Sequence, residues 1–117
     1  MSTIYDYAGS LHRMGDDHEL FHEMADLLRA DAPPLLDAVQ SAHQQGDCPR
    51  LERASHTLKG LAANFGAART ITAAAEVEKL AKQRQSSGLP AAITELEEAL
   101  DELIAALAAT FDAGIHG

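Results

Sequence analysis

Residues 53–66 read Arg53-Ala54-Ser55-His56-Thr57-Leu58-Lys59-Gly60-Leu61-Ala62-Ala63-Asn64-Phe65-Gly66. With about 100° of rotation per residue and His56 set at zero, Leu51, Ala54, Leu58, Leu61, Ala62 and Phe65 fall between roughly 140° and 240°. That apolar arc predicts a helix with one core-facing side, closed by Gly66 as a left-handed terminator. His56 lies opposite the arc, and Glu52, Arg53, Lys59, Gly60 and Ala63 fall within roughly 60° of it. The imidazole is therefore expected in solvent, ringed by small and charged residues.

Gly60 is costly where it stands. Glycine inside a helix loses about 1 kcal/mol relative to alanine and supplies no contact in return. Close packing of two helices is the ordinary reason for such a residue, but the wheel puts Gly60 on the exposed side. The other reading is that a partner surface approaches His56 there, and Ala63 one turn on widens the same gap. Lys59 stands on an adjoining ridge, where its side chain can reach an anion held on the imidazole.

The helix starts at Asp47-Cys48-Pro49, an acidic cap with a proline in the first turn. Upstream, Ile4, Tyr5, Tyr7, Ala8 and Leu11 predict a short helix ending near Gly15-Asp16-Asp17, either aspartate being able to cap the next helix. Leu20, Phe21, Met24, Leu27 and Leu28 predict a core-facing stripe on that helix, which runs to about Ala30. Asp31-Ala32-Pro33-Pro34 predicts a break and a new helix carrying Leu35, Leu36 and Val39 to a stop at Gly46. Downstream, Ala67 to about Gln85 is Ala-rich and helical, ended by Ser86-Ser87-Gly88. Pro90 opens a last helix through Ile93, Leu96, Leu100, Leu103, Ile104, Leu107 and Phe111. No strand alternation appears. The expected fold is all-α: one domain over residues 1–117, an up-down antiparallel four-helix bundle with one or two additional N-terminal helices.

Bulk properties agree with this. A chain of 117 residues has room for one core, and 46% hydrophobic residues with only 4% aromatics and no Trp favour Leu, Ile and Ala packed between helices. The formal charge of −9 repels nucleic-acid backbones and anionic lipid heads, so neither partner is expected. One cysteine, Cys48, permits no intrachain disulfide and no thiolate cluster. No apolar run reaches membrane-spanning length, and the residues after Met1 lack the pattern of a signal peptide, so the expected compartment is the cytoplasm.

One motif competes with His56. His18-Glu19-Leu20-Phe21-His22 fits the H-E-x-x-H pattern of zinc proteases, in which two histidines one turn apart share a metal and the glutamate acts as base. The wheel places His18 and His22 at the edge of the core and Glu19 on the surface, and no third ligand is identifiable. No metal site is therefore expected. His12, His43 and His116 join no constellation and are expected on the surface.

The run Ala54-Ser55-His56-Thr57-Leu58-Lys59-Gly60, with Asn64-Phe65-Gly66-Ala67 after it, resembles the signature of histidine phosphotransfer (HPt) domains of multistep phosphorelays. The Asp-Ala-Pro-Pro segment, the Gly46-Asp47 turn and the Val77-Glu78 pair resemble the family too, so the likeness covers essentially the whole chain. Leu61 stands where the family often has Ser or Ala, a departure that concerns packing. The resemblance implies a four-helix bundle whose His56 accepts a phosphoryl group, with Lys59 and Gly60 supporting that group and the docking of a partner; Arg53, Ala63 and Asn64 are expected to complete the docking surface. The implied partners are receiver domains of response regulators and of hybrid sensor histidine kinases. The chain is expected to be a monomeric phosphocarrier without autokinase activity or cofactor, the receiver supplying metal and catalysis. Two related readings stay open: the phosphoacceptor domain of a chemotaxis-type kinase, and a domain cut from a hybrid kinase. An interaction module without the chemistry fits less well, because His56, Lys59 and Gly60 are all intact.

Overall fold

Three aspartates start three helices. Asp6, Asp17 and Asp47 accept hydrogen bonds from the backbone N–H groups of Gly9, Leu20 and Arg50 at 3.0, 3.0 and 3.1 Å, satisfying donors that a helix start leaves free. The computed structural model describes residues 4–112: α1 (Tyr7–Arg13), α2 (His18–Gln45), α3 (Cys48–Ala63), α4 (Ala68–Lys82), a single 3-10 turn (Ser86–Gly88) and α5 (Leu89–Asp112). Two connections rely on glycines in the left-handed region, Gly46 at φ 68° and Gly66 at φ 58°, where a side chain would be strained. Both turns are tight, so consecutive helices run antiparallel.

Helix α2 packs on α3 and α5, and α4 packs on the same two, which closes a four-helix ring with α1 laid against α2. The expected all-α bundle is what forms, with one additional N-terminal helix. Expectations for Phe111 and His116 concern side chains outside the described residues.

The break predicted at Asp31–Pro34 does not occur. Helix α2 runs 28 residues with Pro33 and Pro34 inside it. Each proline withdraws one N–H from the ladder and leaves a carbonyl one turn back, at Arg29 and Ala30, without its helical donor. Those four residues are all exposed, so water can take the freed carbonyls. Meanwhile Phe21, Ala25, Leu28, Ala32, Val39 and Ala42 form an uninterrupted buried stripe. Tertiary burial on one face outweighs the local disruption on the other.

That stripe also corrects the expected facing of α2. Phe21 and Leu28 are buried, but Leu20 and Leu27 are 36% and 45% exposed and Met24 is half-buried. Ala25 and Ala32 hold the centre of the buried face instead.

Side chains from all four long helices fill the core. Around Leu58, the residues Val39, Leu51, Val77, Leu96 and Leu100 meet in one cluster. A second cluster gathers Phe21, Leu28, Phe65, Leu103 and Leu107 near α1, with the Phe21 and Phe65 rings edge to face at 5.5 Å. The N-terminal arm ties itself to this end, since the Asp6 N–H donates to the Phe65 carbonyl at 2.8 Å and Tyr5 hydrogen-bonds Thr110. The α3 face expected to be buried is buried, Leu61 only partly. Ser55 joins it, its hydroxyl bonded to the Leu51 carbonyl at 2.8 Å.

Candidate functional site

Because Leu51, Ala54, Leu58 and Ala62 lock the inner face of α3, His56 has no choice of direction. Its side chain is 65% exposed, as expected. Helix α4 returns alongside, and its buried Ala73, Val77 and Leu80 fix its rotation so that Glu78 comes level with His56. Glu78 Oε2 lies 2.8 Å from His56 Nδ1, and Lys59 Nζ lies 2.7 Å from Glu78 Oε1. One carboxylate thus bridges the ring and the ammonium group.

Glu78 is only 12% exposed, so the charge is held rather than free to swing. The Lys59 ammonium, with the His56 ring contributing less, keeps its carboxyl below the usual carboxylate range against the opposing effect of burial. At neutral pH it is an anion that can only accept hydrogen bonds. The neutral imidazole must then carry its proton on Nδ1, which leaves the lone pair on Nε2. Nε2 makes no hydrogen bond to the described residues.

The surroundings are basic in a chain that is otherwise acidic. Arg53, Lys59, Lys79 and Lys82, four of the nine Lys and Arg residues, line two shallow depressions flanking the His56–Glu78 contact. Glu52 belongs to the same surface, 3.9 Å from Lys82. Gly60 faces open space: a Cβ added there meets nothing within 4 Å, so packing within the chain does not account for the glycine. Ala63 is exposed one turn away, while Asn64 is half-buried and its carbonyl accepts from Arg13 at 3.3 Å. Ala63 and Asn64 share a further depression with Met14, Leu20 and Met24, which extends the surface beyond His56 onto α2.

Among the residues singled out in the sequence, His56, Arg53, Lys59, Gly60 and Ala63 are brought onto one face. Asn64 lies at its far end. Glu78 enters the sequence reading only as part of the likeness, without a place in the site. Its signal is nevertheless there: His56 and Glu78 lie at nearly equal chain distances from the Gly66 turn, so an antiparallel pair of helices sets them side by side.

The competing motif does not gather a set of metal ligands among the described residues. His18 and His22 are half-buried and Glu19 is exposed. Among the described residues no three His, Cys, Asp or Glu side chains converge as metal ligands. His12 is exposed, while His43 is half-buried rather than fully at the surface. No helix among the described residues is long and apolar enough to cross a membrane.

The chain is similar to known proteins in sequence family and in fold. A family model, the Hpt domain, matches residues 23–109. The fold is similar to that of histidine-containing phosphotransfer protein B (HptB) from Pseudomonas aeruginosa PAO1, at a TM-score of 0.81 and 21% identity, covering 89% of this chain and 90% of that one. It is equally similar to the HPT domain from the Hpt sensor hybrid histidine kinase from Shewanella, at a TM-score of 0.81 and 22% identity, covering 94% and 95%. No curated protein matches the chain.

Proposed function

Since this chain belongs to the Hpt domain family, we propose that it is a phosphocarrier that takes a phosphoryl group on His56 from a receiver-domain aspartate and passes it to another. The observation that carries this is the hydrogen bond from His56 Nδ1 to Glu78. With the ring otherwise in solvent, it directs the Nε2 lone pair outward, where a phosphorus atom can be met in line.

Each neighbour has a part in this reading. Lys59 is within reach of a phosphoryl group on the ring and offsets some of its charge. Gly60 and Ala63 let the receiver backbone come close, and Arg53 with Lys82 steers an acidic receiver face toward His56 in a chain whose net charge would otherwise repel it. Exposed Leu20 and half-buried Met24, continuous with Ala63 and Asn64, add apolar contact area. The receiver brings the metal and most of the catalysis, while this chain brings a nucleophile of fixed tautomer on a rigid helix. Receiver domains of hybrid sensor kinases and of response regulators are the two kinds of partner. The carrier acts as a monomer in the cytoplasm.

The test mixes the protein with a receiver domain bearing a phosphorylated aspartate and reads the intact mass of both under non-acidic conditions. Gain of one phosphoryl mass here, with matching loss from the receiver, supports the carrier reading. No gain with several receivers would refute it.

A further inference from the structure

Resting on the carrier reading above, we infer that Glu78 is a positioning residue that acts through the phosphorylated ring, holding the proton on Nδ1 so that the phosphoryl group stays ready to leave rather than being stored. When Nε2 attacks, its lone pair forms the N–P bond while the P–O bond to the donor aspartate breaks, its electron pair going to that carboxylate. Nδ1 keeps its proton, and the ring becomes a phosphoimidazolium cation. In the onward step an acceptor carboxylate forms a new P–O bond and the N–P pair returns to Nε2, regenerating the starting tautomer. No proton has to move in either direction. If Nδ1 loses its proton in between, the departing group is an imidazolate anion instead of a neutral imidazole, and departure is far slower.

The group facing Nδ1 therefore sets how long the phosphoryl group is held. Glu78 Oε2 is the atom in contact with it, at 2.8 Å. An amide at this place could turn its N–H toward a bare Nδ1 and favour the neutral, long-lived ring, but an ionised carboxylate cannot donate. The other charged groups around the pair are Glu52, Arg53 and Lys59 on α3 and Lys79 and Lys82 on α4; α2 and α5 contribute none to the flanking depressions. Lys59 is engaged by Glu78 Oε1 at 2.7 Å, and Lys82 approaches Glu52 at 3.9 Å. Glu78 Oε2 is thus the charge in direct contact with Nδ1.

The experiment phosphorylates the wild-type chain and Glu78→Gln from a receiver, removes the receiver, and tracks loss of the phosphoryl group by intact mass from pH 5 to 9. With the carboxylate in contact with Nδ1 replaced by an amide, the variant should hold its phosphoryl group roughly ten-fold longer than wild type at neutral pH. Loss of packing alone gives no reason for a longer lifetime. Nitrogen-15 NMR of the unphosphorylated wild-type ring gives a second reading that needs no variant, and a proton on Nδ1 with Nε2 bare is expected. Equal lifetimes, or a ring protonated on Nε2, overturn the inference while the carrier reading stands. A chain that takes no phosphoryl group at His56 overturns both.

Discussion

Replacing Gly60 separates docking from folding. Its position is in α3, on the exposed face, and a Cβ meets no atom within 4 Å. Gly60→Ala therefore adds no clash and recovers helix propensity, a gain of up to about 1 kcal/mol. The site lies within a turn of the end of α3 at Ala63, where fraying takes part of that gain. For a domain of this size 1 kcal/mol shifts Tm by roughly 4 °C, so a rise of about 2–4 °C is expected. Gly60→Gln keeps a sound helix former but sets a long side chain beside the imidazole. It should fold like wild type by circular dichroism and melting, yet accept the phosphoryl group from a receiver about ten-fold or more slowly, a barrier increase of about 1.4 kcal/mol. Gly60→Ala should slow transfer only modestly. If Gly60→Gln unfolds the bundle, the glycine serves internal packing and the reasoning fails. If it folds and transfers at the wild-type rate, the receiver does not approach over this face.

Pro33→Ala should stabilise α2, because it restores an N–H for the Arg29 carbonyl and removes a ring from the helix interior. A gain of about 1–2 kcal/mol is expected in urea unfolding after the lost rigidity of the unfolded chain is subtracted, and a loss would contradict the account of that helix. The lowered Glu78 titration implies stability that is present above the ordinary carboxylate range and lost as pH falls through the lowered value. The Tm difference between wild type and Glu78→Gln should accordingly shrink from pH 7 to pH 3, whereas a constant difference would deny the contact its charge. Incubation with ATP and magnesium should leave the intact mass of the isolated chain unchanged, and a self-labelled product would return it to the kinases.

The α3 face is readable from sequence because Leu51 and Leu58, with Phe65 just past the helix end, are large and evenly spaced, and burial tracks them closely. On α2 the same spacing argument misplaces Leu20 and Leu27, since the true centre of the face is Ala25 and Ala32, residues too small to announce a stripe. Alanine there lets the helices approach; leucine on the flank is left half in water. The proline pair misleads for a related reason, a local rule overruled by packing on the opposite face. His56, Lys59 and Gly60 are legible as a group because they share one helix. Glu78 is not, because its place in the site depends on how α4 docks against α3. Only the register of the two helices around Gly66 reveals it.

The central claim is that one histidine of this chain carries the phosphoryl group. The direct measurement is transfer from a phosphorylated receiver to wild type, His56→Gln, His18→Gln and His22→Gln, each read by intact mass under non-acidic conditions. The added phosphoryl mass should be absent in His56→Gln alone and undiminished in the other two. Labelling that persists in His56→Gln, with its fold intact by circular dichroism, would contradict the account.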